Sequence, residues 1–155
     1  PGLPAGIVRN AKGVLSEPFE HDGVSLTIRG TLDAIAEFED GTIGVIDFKS
    51  SIPNNYLSDH YRPQLCAYRW ALTNPAKTEP QEVTKLGLLV VRPEAMADTN
   101  QGLAQLVSTT WIEVDYDETW FTSLLKEICG IAADPASAES DADCDWCGLR
   151  DQLRT

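Results

Sequence analysis

Positive charge is scarce in this 155-residue chain: 12 Lys and Arg face 24 Asp and Glu, for a formal net charge of -12. Taken whole, that balance argues against nonspecific adhesion to nucleic acid. Cysteine is also sparse. Four residues (Cys66, Cys129, Cys144 and Cys147) are too few for a disulfide scaffold of this length, so a reducing, cytoplasmic compartment is expected. The longest strongly apolar run, Leu86 to Val91, is far shorter than a membrane span, and no basic-then-apolar leader opens the chain. A soluble protein without a membrane partner is expected. The first residues are Pro-Gly-Leu-Pro with no initiator Met, which suggests a processed or truncated start. No internal repeat is visible, and 43% apolar residues with 11 Gly and 9 Pro exclude collagen-like, mucin-like and wholly disordered chains.

What is there fits one domain over residues 1–133 and an appendage over 134–155. The acidity is uneven, with 7 basic and 10 acidic residues in 1–80 but 5 and 14 in 81–155. A phosphate-bearing partner is therefore expected to approach the first half. Residues 1 to about 15 show no period and read as coil or edge. Val24, Leu26 and Ile28 alternate with polar residues as a half-buried strand does, and Thr31 to Phe38 continues as a second strand. Glu39-Asp40-Gly41 is a hairpin signal, followed by a third strand from Ile43 to Lys49. Ser58 to Thr73 carries Tyr61, Leu65, Tyr68 and Leu72 at helical spacing, although Pro63 can move the helix start to itself. Strands are expected at Val83–Val91 and Thr109–Asp115, and a second amphipathic helix at Asp117–Ala132. From Asp134 to Asp143 the composition falls to Asp, Ala, Ser, Pro and Glu, an acidic linker leading to the tail Cys144-Asp145-Trp146-Cys147. The order predicts an α/β fold with a mixed central sheet flanked by helices.

In the third strand, alternation puts Asp47 and Lys49 on one face and Phe48 on the other. The place of Asp33 depends on the hairpin. A two-residue loop at Asp40-Gly41 sets Asp33 opposite Phe48. A three-residue loop, with Gly41 left-handed in a bulge, sets Asp33 opposite Asp47. We adopt the second register because it gathers Asp33, Asp47 and Lys49. Two opposed carboxylates repel by roughly 1 kcal/mol in water and about 4 kcal/mol at a surface-like dielectric, so such a pair calls for a cation. Mg²⁺ suits so few protein ligands because it keeps its waters. A metal beside a lysine is equipment for hydrolysing a phosphodiester. The competing reading is a surface salt-bridge patch, against which the apolar neighbours Ile43, Val45 and Ile46 argue for burial.

Gly30-Thr31-Leu32-Asp33, then Ile46-Asp47-Phe48-Lys49, then Gln64-Leu65-Cys66-Ala67-Tyr68 resembles the G-x-x-D, D/E-x-K and Q-x-x-x-Y series of the PD-(D/E)XK nuclease superfamily, in its RecB-like exonuclease branch. The resemblance implies a restriction-endonuclease-like core, DNA as partner and Mg²⁺ or Mn²⁺ as cofactor. It implies Asp33, Asp47 and the backbone carbonyl of Phe48 as metal ligands and Lys49 as the catalytic lysine. Gln64 and Tyr68, one turn apart on a helix, are implied to flank the site and position DNA or water. Such relatives usually supply a further Glu or His from a helix before the first strand; Glu17 and Glu20 are candidates to replace it. Some hold an iron-sulfur cluster on one upstream and three late cysteines, but only Cys144 and Cys147 stand near this end, so a cluster within the chain is not expected. His21 and His60 read as surface residues near loops, Cys66 as a small buried hydrophobe, and Trp111, Trp120 and Trp146 as packing. The expected activity is metal-dependent DNA cleavage, possible partners being other subunits of a nuclease or helicase assembly. The runner-up is a nuclease-fold module that no longer cuts and serves a recombination, restriction or phage assembly as a scaffold; RNA or junction cleavage comes third.

Overall fold

Ile43, Val45 and Ile46 are apolar on alternate sides of one strand, so that strand must be covered on both faces. In the computed structural model, which describes residues 2–10, 13–54, 56–100 and 102–134, it occupies the middle of a mixed five-stranded sheet. In chain order the elements are β1 (Gly6–Asn10), β2 (Gly13–Leu15), β3 (Phe19–His21), β4 (Val24–Leu26), β5 (Arg29–Thr31), β6 (Ala34–Phe38), β7 (Ile43–Ser50), α1 (Tyr56–Thr73), β8 (Val83–Thr99), β9 (Gly102–Glu113) and α2 (Glu118–Ala133). The sheet runs β1-β6-β7-β8-β9; β2 pairs with β5 and β3 with β4 in two small ladders. Among the described residues only β7 and β8 pair in parallel, and α1 makes the crossover between them.

One face of the sheet carries Ile43, Val45, Leu86, Leu88 and Val90, buried against Leu57, Leu65 and Leu72 of α1 and Phe121 and Leu125 of α2. The other carries Ala34, Ala36, Phe38 and Ile46, packed with Leu3, Leu89 and Trp111. Small residues let the large ones lie flat there: a Cβ on Gly87 would stand 2.4 Å from the Trp111 ring. The start of α2 is fixed by Asp117, whose side chain accepts from the Trp120 N–H at 3.0 Å.

The three-residue hairpin is the one formed. Ala34 pairs with Ile46 and Ile35 with Val45, the Phe38 N–H donates to the Thr42 carbonyl, and Gly41 takes φ +84°. Several boundaries differ from the sequence reading. Residues 31–38 are not one strand: Thr31 ends β5, which turns to pair with β2, and Leu32 joins the helix-side core instead of the face holding Ala34 and Ala36. Residues 6–10 and 13–15, read as coil or edge, are strands, and β1 forms an edge of the sheet by pairing with β6. Phe19–His21 and Val24–Leu26 form a hairpin around Asp22 and Gly23, both at positive φ, and this shortens the expected strand to Leu26. Helix α1 begins at Tyr56 and runs through Pro63. The proline forfeits one backbone bond, to the carbonyl of exposed Asp59, which water can satisfy. His60 accordingly lies within the helix and not near a loop. Strands β8 and β9 extend well past Val91 and Thr109, with Pro93 beside a bulge, a place in a sheet that tolerates it.

Candidate active site

Asp47 and Lys49 project from β7 on its helix-covered face, and α1 brings Tyr61, Gln64 and Tyr68 over them. Asp47 is 4% exposed, a costly place for a charge without partners. Its Oδ2 lies 2.6 Å from the Lys49 ammonium, and its Oδ1 accepts from the Gln64 amide at 3.2 Å. The same amide nitrogen donates to the Tyr68 hydroxyl at 3.0 Å, and that hydroxyl donates to the Thr31 carbonyl at 3.0 Å. Lysine, aspartate, glutamine and tyrosine thus form one chain of contacts from β7 to the end of β5.

Asp33 enters from the broken strand. The β6–β7 register makes Leu32 the next hydrogen-bonded partner of Phe48, but the ladder stops at Ala34 and Ile46. The Asp33 carboxylate takes over, accepting the Phe48 N–H at 2.8 Å through Oδ2. In a strand the N–H and carbonyl of one residue face the same neighbour, so the Phe48 carbonyl opens on the Asp33 side too. Asp33 stands one residue before the last paired position, Ala34, and Asp47 one residue after its partner, Ile46. All five predicted side chains are therefore gathered around the end of β7.

Electrostatics hold the lysine charged. Burial works to lower the Lys49 pKa, but contact with Asp47, aided by Tyr61 and Asp33, raises it above the ordinary lysine value. The ammonium also sits 4.2 Å from the centroid of the Tyr61 ring. Tyr61 is the site residue that sequence reasoning missed. Its place in the apolar stripe of the helix marked it as packing, and it does pack on the core while its ring face meets the ammonium.

The donor set suits a hard divalent cation. Asp47 is a buried carboxylate whose Oδ2 is ion-paired with Lys49. With the exposed Asp33 carboxylate and the Phe48 carbonyl it offers oxygen ligands of the type Mg²⁺ or Mn²⁺ takes, water filling the remaining positions. Among the described residues no three His, Cys, Asp or Glu side chains come together, so neither Glu17 nor Glu20 completes a larger set. Glu20 instead accepts from the Ser25 hydroxyl at 2.6 Å. Gly30, first residue of the G-x-x-D series, has its own geometric reason: a Cβ there would lie 2.7 Å from Cε1 of Tyr68. Cys66 is fully buried beside this wall, and burial pushes its thiol up to about 11 against the pull of Arg62 and Arg69. Trp111 and Trp120 pack against the two cores. Trp146, Cys144 and Cys147 lie outside the described residues.

Comparison with known proteins gives two findings. A sequence model of the PD-(D/E)XK nuclease superfamily matches residues 6–152. A solved structure described as "Crystal structure of SSO0001" is similar with 19% identity and a TM-score of 0.48, over 85% of this chain and 62% of that one. The chain thus spans less than two thirds of that structure's length. No curated protein sequence matches the chain significantly. No helix among the described residues is long and apolar enough to cross a membrane.

Proposed function

The chain belongs to the PD-(D/E)XK nuclease superfamily, with a restriction-endonuclease-like α/β fold, and we propose that it is a metal-dependent DNA nuclease of the RecB-like exonuclease type. The superfamily generally hydrolyses phosphodiester bonds and generally uses divalent metals such as Mg²⁺. What carries the reading for this chain is the convergence of Asp33, the buried Asp47 and the charged Lys49 at one strand end. Asp33, Asp47 and the Phe48 carbonyl would hold Mg²⁺ or Mn²⁺, which when bound acidifies water and neutralises phosphate oxygens. Lys49, held charged, donates to the phosphate oxygen on which negative charge develops. Gln64 keeps Asp47 from rotating by holding Oδ1, and Tyr68 anchors Gln64 to the Thr31 carbonyl. A cytoplasmic setting and other subunits of a nuclease or helicase assembly belong to the same proposal; the expected acidic linker and CxxC tail lie, from residue 135 on, outside the described residues.

The test is cleavage of end-labelled single- and double-stranded DNA. Activity in Mn²⁺ that disappears in EDTA and in Lys49→Ala supports the enzyme. Binding of DNA without cleavage under any divalent metal supports the competing reading, a nuclease-fold module that only binds, which the net charge of -12 favours.

A further inference from the structure

Beyond the lysine, the first turns of α1 present three rings in a row. Tyr61, over the Lys49 ammonium, meets His60 edge-on with centroids 4.8 Å apart. His60 in turn stacks on Tyr56 at 5.4 Å with the planes 27° apart, and its Nδ1 lies 3.4 Å from the Tyr56 hydroxyl. The two outer rings are open to solvent. Tyr61 is half-buried, His60 is exposed, and Tyr56 leaves 69% of its surface open. Packing accounts for Tyr61, which sits on the core; Tyr56 and His60 belong to neither core cluster. A stacked, solvent-facing pair of rings leading away from Lys49 is an exposed π surface that core packing does not explain.

On the reading of the site as a nuclease, we propose that Tyr56 and His60 form a stacking platform for an unpaired nucleobase next to the phosphate held at Lys49. They are positioning residues that favour single-stranded or frayed DNA. Every base has a π face, so stacking on a ring is tolerant of sequence. Within a duplex both faces of a base are covered by its neighbours, and only a base out of the stack reaches a side-chain ring. The charge of the chain points the same way. With a net charge of -12 it lacks the surplus of lysine and arginine that tracks a phosphate backbone, and stacking supplies affinity that does not draw on basic residues.

The test compares the whole chain with Tyr56→Ala, His60→Ala and Tyr56→Phe, in Mn²⁺, on a single-stranded oligonucleotide and on the same sequence as a blunt duplex. Both alanine variants should raise KM on the single strand about 5- to 100-fold while kcat changes far less. The loss on the blunt duplex should be several-fold smaller, and Tyr56→Phe, which keeps the ring, should restore the single-strand KM. In EDTA, fluorescence of a 2-aminopurine oligonucleotide should be quenched by the native protein and not by Tyr56→Ala. An unchanged single-strand KM in Tyr56→Ala, equal losses on both substrates, or a phenylalanine variant as weak as alanine would overturn the platform while leaving the nuclease standing. If the native protein cuts no DNA, the nuclease reading falls and the quenching decides alone: loss in Tyr56→Ala upholds the platform, and no quenching by the native protein overturns it.

Discussion

Gly30→Ala should damage the site without touching any charged group. The added methyl would lie 2.7 Å from Cε1 of Tyr68, where ordinary contact begins at 3.4 Å, so the ring must shift. That ring cannot shift freely, because its hydroxyl is held by the Thr31 carbonyl and the Gln64 amide at 3.0 Å each. Overpacking of this kind costs about 1–3 kcal/mol, which for a chain of this size lowers Tm by roughly 3–10 °C. Because Gln64 also holds Asp47, displacement should lower kcat about 10- to 100-fold, the scale of a misplaced catalytic group. The assay is a double-mutant cycle by urea unfolding with Gly30→Ala, Tyr68→Ala and both. Once the ring is gone so is the 2.7 Å clash, and Gly30→Ala should cost less than about 0.5 kcal/mol in the Tyr68→Ala background. An equal cost in both backgrounds would refute the argument that Tyr68 is what requires glycine at this position.

Three further outcomes follow from the same geometry. Tyr61→Leu should reduce cleavage about 3- to 30-fold by removing the ring under the Lys49 ammonium, whereas Tyr61→Phe keeps it, as single-turnover rates on one oligonucleotide will show. Glu17→Gln and Glu20→Gln should cleave within about twofold of the native protein across a Mn²⁺ titration, since neither joins a group of metal-binding side chains. Stability should fall in alkali. Cys66 is raised from 9.0 to about 11, and Lys49 and Tyr116 are raised from 10.5 and 10.0. The folded chain thus keeps protons that the unfolded chain releases first, so stability holds below pH 9 and declines above it. Cys66→Ala should remove the part of that decline between pH 9 and 11 in urea-unfolding series.

The site was more legible in the sequence than the sheet around it. Asp47 and Lys49 share a face by simple alternation, and Gly41 suits the left-handed position of the three-residue loop, the register adopted because it gathers Asp33 with them. Hidden from that reasoning was how Asp33 arrives. Period-two alternation continues through Leu32, but the carboxylate captures the Phe48 N–H and the strand breaks there, a side-chain-to-backbone event that hydrophobic pattern does not encode. The edge strand β1 was illegible for a related reason: Ile7 and Val8 are both largely exposed, and its order comes from pairing with β6. The Asp22-Gly23 hairpin does carry a turn signal, Gly after Asp with both at positive φ. Tyr61 shows the opposite failure, since a residue serving core and site at once displays only the helical period of the core.

Binding of Mn²⁺ to the native protein, Asp33→Asn and Asp47→Asn by isothermal titration calorimetry tests the account where it is most exposed. The native protein should bind the ion, and each amide variant, with its fold intact by circular dichroism, should lose at least about tenfold in affinity. If both variants bind Mn²⁺ as the native protein does, the ion is not held between these two carboxylates and the proposed hydrolysis has no centre.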